Sequence, residues 1–491
     1  MQKKWNILEP APADFLSKHT KRPAVIANML YHRGLIEKEN IEEFLHPQYD
    51  KHLHDSFLFL DMQKTVDRLM QAIEKGEKIV VYGDYDADGV SASTILTDTI
   101  EAIGSTNLDV YLPHRETDCY GANAKAVEVL AKEDAKVLIT CDCGISNKKE
   151  VELANSLGID VVVTDHHSMP PELPDAFAII HPKRKGETYP DKNLSGGGVA
   201  FKLAQALLRT HAKDHDELLN GEEHIHFEKW LLDMAAISSV ADMVPLIGES
   251  RTMTKFGLML LNKPRRIGLI KLYKESDLMH NDGSMDKPVT ERTIGFRIAP
   301  QINAAGRLDH ANTAYKLMKA HNGADAIDLA FLLKQQNNER RELTQKFVHQ
   351  AVEQIEKNQT DKDVLVVFGE SWFTGISGLI ASRLKEKYQK PAIAIAKKES
   401  GETTGSGRSV KGFDLIAAMQ EIPEMFSKFG GHPMACGFSL AKEKTIEELQ
   451  EKLCAIFKEK TKDFDMTPTI DVEAEIDLSD VSADAELDLL L

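Results

Sequence analysis

The chain has 491 residues, with 60 Lys and Arg against 77 Asp and Glu for a formal net charge of −17; 42% of residues are hydrophobic and 28% charged. At ~100–200 residues per domain this length implies roughly three domains, and the balance excludes a disordered or fibrous chain. An acidic total argues against a nucleic-acid partner, yet the charge is uneven: residues 461–491 hold net −9, while Arg251–His310 hold net +5.

The five cysteines, Cys119, Cys141, Cys143, Cys436 and Cys454, form no disulfide framework. No second close pair completes a zinc site with Cys141 and Cys143. The start, MQKKWNILEPAPADF, lacks the apolar core of a signal peptide, and no run reaches the ~18–20 apolar residues of a membrane span. The expectation is a cytoplasmic protein without a membrane partner.

Residues 1–75 read as a helical, loop-broken N-terminal segment. From Lys78 short apolar runs alternate with helical periodicity. KIVVY, LDVYL, AKVLIT and DVVVT read as strands, with helices at SASTILTDTIEAIG, AKAVEVLAK and NKKEVELANSLG between them. This alternation signals an α/β fold with a doubly wound parallel sheet. AFAII adds a strand before a Gly-rich turn and helix, SGGGVAFKLAQALL. Residues 205–320 are mostly helical. A long helix without Pro is predicted over 324–357, suited to a strut between two lobes. A second α/β segment covers 362–460, with a Gly/Ser-rich loop at GETTGSGRS.

Three of the predicted strands end in acids. GDYDADG supplies Asp84, Asp86 and Asp88, CDCG supplies Asp142, and DHH supplies Asp165, His166 and His167. Ligands of open α/β sheets bind beyond the carboxyl ends of strands, so these groups converge on one crevice. Carboxylates crowded there repel, and divalent cations relieve them. Asp with His suits Mn²⁺ better than Ca²⁺, and the cluster has donors enough for two ions. Alone, each motif has a plainer reading: DxD as a turn or cap, GDYDADG as a calcium loop. The calcium reading lacks the later Glu and follows a strand rather than a helix.

These residues resemble the DHH phosphoesterase superfamily. The wider pattern, VYGDYDADGVSA, PHRETDCYG, ITCDCGIS, VVTDHH, LSGGGVAFKL, ISSVADMVPL, IAPQINAAGRL, ASRL, GSGRS and GGHPMACGFS, is similar to its branch of bacterial single-strand-specific 5′→3′ DNA exonucleases. The resemblance implies two α/β lobes joined by a long helix. It places a DHH catalytic domain with helical extension at 76–323, the connecting helix at 324–358 and a DHH-associated substrate-binding domain at 359–460. The acidic tail, 461–491, stands where such chains begin an OB-fold. Asp86, Asp88, Asp142, His166 and Asp242 are implied as metal ligands and, together with His167, as the catalytic residues. Asp84 and His167 are implied as ligands or their immediate neighbours, and Asp165 either binds metal or orients a histidine.

The cofactors implied are two divalent ions, Mn²⁺ in preference to Mg²⁺. The reaction implied is hydrolysis of single-stranded DNA to 5′-mononucleotides in repair and recombination, by a monomer working with a single-strand-binding protein and a helicase. Substrate contacts are implied at Asn303, Arg307, Arg408, Gly431 and His432, while Tyr85 and Tyr120 read either as base-packing or as core. SGGGV reads either as close helix packing or as substrate approach. Many members carry His after Trp before GxxG; here Phe373 follows Trp372. The competing readings are a phosphodiesterase of short oligoribonucleotides or cyclic dinucleotides, and a non-catalytic replication scaffold.

Overall fold

The computed structural model describes residues 3–115, 118, 121–398 and 400–475; Cys119, Tyr120 and residues 476–491 of the acidic tail lie outside them. The chain divides into two compact units, Pro47–Arg340 and a second made of Met1–His46 with Arg341–Leu491. Among the described residues no helix is long and apolar enough to cross a membrane.

In the unit 47–340, strands β1 (Lys78–Tyr82), β2 (Leu108–Tyr111), β3 (Ala135–Cys141), β4 (Asp160–Thr164) and β5 (Ala178–Ile180) form one sheet in the order β2-β1-β3-β4-β5. Every pairing is parallel. The runs KIVVY and DVVVT are buried almost throughout, as expected for strands covered on both faces. The order reverses at β1, so the crevice between the ends of β1 and β3 is a topological switch point.

Helix α1 (Ala87–Ala102) follows β1 and is buried over nearly its whole length despite its hydroxyl-rich sequence. Ser91, Ser93, Thr94, Thr97 and Thr99 each donate to the carbonyl four residues earlier, which lets polar residues sit in an interior helix. Helix α2 (Gly196–His211) packs on α1, and α3 (Leu232–Ala241) packs on both. Phe201, Leu203 and Leu207 of α2 are fully buried, each worth about 1.5–3 kcal/mol. Helices α4 (Gly248–Leu261) and α5 (Ala299–Leu308) also belong to this helical part, α5 entered through a π-helical turn, Ile294–Ile298.

The long predicted helix is present as α6 (Gly323–Asn358), 36 residues or ~54 Å; the division between the units falls inside it. In the second unit, β6 (Leu365–Gly369), β7 (Ala392–Lys397), β8 (Thr403–Arg408), β9 (Phe426–His432) and β10 (Ala435–Leu440) form a mixed sheet in the order β9-β10-β8-β7-β6. Helix α7 (Thr374–Tyr388) lies between β6 and β7 in the chain and packs on β7 and β8. The strand Lys4–Ile7 pairs in parallel with Thr469–Val472.

One local expectation is overturned. GETTGSGRS is not a loop: Thr403–Arg408 is a strand paired on both sides. Its glycines read as loop formers, but they make room for neighbours. A Cβ on Gly405 would meet the Phe438 ring at 2.3 Å, and one on Gly407 would meet Leu415 and Cys436 below 3 Å. Glycine in a strand marks such close approach.

Candidate metal centre

The three acid-bearing loops leave β1, β3 and β4, which are neighbours in the sheet, and they meet at its carboxyl edge. Asp86 caps α1, its Oδ1 accepting from the N–H of Asp88 at 2.9 Å and of Gly89 at 3.1 Å, the usual use of an Asp before a helix. Asp88, in the first turn, is buried. Its carboxylate accepts from Gly196 N (2.8 Å), Gly197 N (2.7 Å) and Ser238 Oγ (2.5 Å). The first turn of α2 and one hydroxyl of α3 therefore fix it.

SGGGV is thereby explained as close packing. A Cβ on Gly196 would lie 2.6 Å from Cβ of Asp142, and one on Gly197 would lie 2.5 Å from Ser238 Oγ. Ser238 was missed in the sequence; its only signal is that it stands one helical turn before Asp242.

Asp142 has φ +59°, a left-handed conformation that Asp tolerates better than most residues. Its Oδ1 lies 3.1 Å from Nε2 of His166. The same Nε2 is 3.6 Å from Asp88 and 3.7 Å from Asp242, the residue that ends α3. Ligand atoms gather within 4.8 Å of one another in three groups: Asp84, Asp86 and Asp142; Asp142, His166 and His167; Asp88, His166 and Asp242. Asp142 and His166 each belong to two groups.

Asp165 belongs to none of them and is saturated otherwise. Its Oδ1 accepts from the N–H of His166 (2.7 Å) and of His167 (3.1 Å) and pairs with Nδ1 of His167 (2.8 Å), while Oδ2 accepts from Ile145 N (3.0 Å). These bonds outweigh burial and hold its carboxyl far below the usual range. Such a carboxylate orients a ligand histidine by its other ring nitrogen.

Three other acids of the site, Asp84, Asp142 and Asp242, are opposed in ionising. Burial and then the neighbouring carboxylates raise Asp84 and Asp142 well above the ordinary value, and push Asp242 up to about 8. Asp84 Oδ1 is buried without a hydrogen-bond partner. A hard, divalent cation supplies what this donor set lacks, and mixed Asp/His ligation suits Mn²⁺. Cysteine chemistry is disfavoured, because burial pushes the Cys141 thiol up to about 12 and raises Cys143 as well.

These shifts have a measurable consequence. Binding of Mn²⁺ displaces protons from Asp242, Asp84 and Asp142, so affinity is expected to rise as pH climbs toward about 8, where Asp242 ionises. Calorimetry in buffers of different ionisation enthalpy checks this: proton release is the expected result, and a pH-independent, proton-neutral titration contradicts it. The linkage sign is the complement. Carboxyls whose folded pKa is raised make the metal-free fold less stable as pH climbs above about 4, where the unfolded chain ionises.

The implied substrate residues fall in both units. In 47–340, Asn303 Oδ1 accepts from Ala87 N at 2.7 Å, bracing the first turn of α1, and Arg307 lies one turn further along α5. Tyr85 is partly buried, with the Arg115 guanidinium 4.0 Å from its ring and Gly306 of α5 so close that a Cβ would meet the Tyr85 carbonyl at 2.5 Å. In the second unit Ala435 pairs with Arg408 on one side and His432 on the other, so both lie in one cross-strand row and share a sheet face. Arg408 Nη1 donates to Ser406 Oγ (3.0 Å) and the Gly407 carbonyl (2.8 Å). Gly431 has φ +140°, and a Cβ there would strike the Ala435 carbonyl at 2.3 Å. Phe373 precedes α7 and is 41% exposed.

Residues 78–238 match the model of the DHH family, N-terminal domain, and residues 361–459 that of the DHHA1 domain. The chain is 36% identical over 492 residues to the single-stranded-DNA-specific exonuclease RecJ of Bacillus subtilis, covering 99% of this chain and 59% of that one. It is 35% identical over 391 residues to the RecJ of Escherichia coli, covering 78% of this chain and 67% of the relative. The chain thus spans about three fifths to two thirds of these relatives' length. Among solved structures, RecJ of Thermus thermophilus in complex with Mn²⁺ superposes with a TM-score of 0.78 at 24% identity, covering 96% of this chain and 64% of that one; at that identity it shows the fold.

Proposed function

The chain belongs to the RecJ family of DHH phosphoesterases, and we propose that it hydrolyses single-stranded DNA from the 5′ end to 5′-mononucleotides, using two divalent cations, Mn²⁺ in preference to Mg²⁺. The observation that carries this reading is the meeting of three Asp/His groups at the switch point of the sheet, linked through Asp142 and His166. In the proposal Asp86, Asp88, Asp142, His166 and Asp242 hold the ions, with Asp84 and His167 beside them. Bound by these residues, divalent ions would supply Lewis-acid polarisation of a water and neutralise charge developing on the phosphodiester.

The protein's own part is to hold these groups still. Gly196, Gly197 and Ser238 fix Asp88, Asp165 holds the His167 ring through Nδ1, and Asn303 braces the loop before α1. Arg307, Arg408 and His432 are proposed to grip backbone phosphates, with Gly431 allowing the tight hairpin beside His432. Action as a monomer in repair and recombination in the cytoplasm, with a single-strand-binding protein and a helicase, is the family's setting and completes the proposal.

The test is Mn²⁺-supplemented digestion of 5′-blocked, 3′-blocked and duplex substrates, with a length series. Release from 3′-blocked single strands but not from 5′-blocked or duplex DNA is expected. Activity confined to the shortest oligoribonucleotides supports a small-substrate phosphodiesterase instead, and no release with any substrate supports the scaffold. A second expectation concerns Arg408→Ala. Losing one phosphate contact lowers the slope of log affinity against log salt by about 0.7 for single strands. An unchanged slope in a binding titration makes Arg408 a structural residue.

A further inference from the structure

The segment that follows β5 reaches back to the paired histidines. Nζ of Lys183 donates to the carbonyl of His166 at 2.6 Å, and Nε2 of His181 lies 3.0 Å from the carbonyl of His167. The N–H of Lys183 donates to Nδ1 of His181 at 3.1 Å. A backbone N–H can only donate, so Nδ1 is the acceptor and the ring proton sits on Nε2, where it donates to His167. His181 is fully buried, and Asp165 N donates to the Ile180 carbonyl beside it.

With Asp165 holding both N–H groups, all four backbone polar groups of His166–His167 are bonded, two to a carboxylate and two to the His181–Lys183 turn. A turn this committed does more than cover the sheet edge, since rotation of either peptide would swing an imidazole out of its group. We propose that His181 and Lys183 are positioning residues that clamp the His166–His167 backbone and thereby set cation affinity at the metal centre. The inference rests on the metal-centre reading above.

The test is Mn²⁺ titration of the full chain by calorimetry, beside oligonucleotide kinetics. His181→Gln keeps an N–H near the Nε2 position, whereas His181→Asn ends near Nδ1 and leaves the His167 carbonyl without its donor. Asn is expected to bind Mn²⁺ about 10–100-fold more weakly, the usual effect of losing such a support, and to lower kcat with little change in KM. Gln is expected to stay close to wild type. If Asn binds Mn²⁺ as wild type does, whatever its melting temperature, the clamp is wrong. If wild type itself binds no Mn²⁺, both readings fall.

Lys183 is exposed, so Lys183→Met retains the fold and gives an independent sign test. Its positive charge acts on Asp242, so charge removal alone tightens cation binding, whereas loss of the clamp loosens it. Weaker binding by Lys183→Met supports the proposal, and equal or tighter binding removes Lys183 from it.

Discussion

Asp142→Asn is expected to cut nucleotide release by about 10³-fold or more, close to 4 kcal/mol of activation free energy, while leaving the metal-free protein no less stable. Asn is nearly isosteric and tolerates the φ of +59° that Ala would find costly. The N–H bond to the Thr164 carbonyl does not involve the side chain and survives. What changes is the charge. Asp142 sits in two of the three ligand groups, and its ionisation is opposed first by burial and then by Asp88, Asp86, Asp84 and Asp242. Removing it takes a shared anionic ligand from the cations and a source of repulsion from the metal-free fold. Two measurements follow, nucleotide release under saturating Mn²⁺ and thermal unfolding with and without chelator. The variant should lose most of the Mn²⁺-dependent rise in melting temperature. Near-normal turnover, or a collapse of the metal-free fold, would sink its assignment as a ligand.

Asp84, Asp86, Asp88, Asp142, His166 and His167 were legible because parallel strands deliver whatever follows them to one edge, and each motif follows a strand of five to seven residues. Asp242 was not legible from that rule. It ends a helix, and only packing of α3 on α1 and α2 brings it to His166. What secures Asp88 was equally hidden, since backbone N–H groups of Gly196 and Gly197 carry no sequence signature beyond small size. The strand Thr403–Arg408 was misread because its glycines look like a loop until the Phe438 ring that fills their space is known. The charge total was the poorest guide: the acids at the switch point weigh against a polyanion in the sum, and in place they build the site proposed to attack one.

Lys202→Met is expected to destabilise the unit 47–340 by about 3–5 kcal/mol, the cost of stripping one partner from a buried ion pair. Lys202 and Glu249 are both fully buried, with Nζ 2.6 Å from Oε1. Nζ also donates to the His54 carbonyl (2.9 Å) and to Gln205 Oε1 (3.0 Å), and Gln205 passes the network to Glu228 and Tyr49. Burial lowers the Lys202 pKa, and the Glu249 carboxylate is the largest effect opposing it. Methionine fills the volume but leaves Glu249, among the described residues, with the Tyr189 hydroxyl and His54 N as its donors. The consequence reaches the site, because α2 carries Lys202 and, within two turns, the Gly196 and Gly197 amides that grip Asp88. Urea unfolding of the single variant and of Lys202→Met/Glu249→Gln separates the terms. The double variant removes the stranded charge and should recover most of the loss, since a neutral buried pair avoids the desolvation that makes the single change severe. A single variant within about 1 kcal/mol of wild type, or a double variant no better than the single, would mean that the pair is not what holds α2 in place.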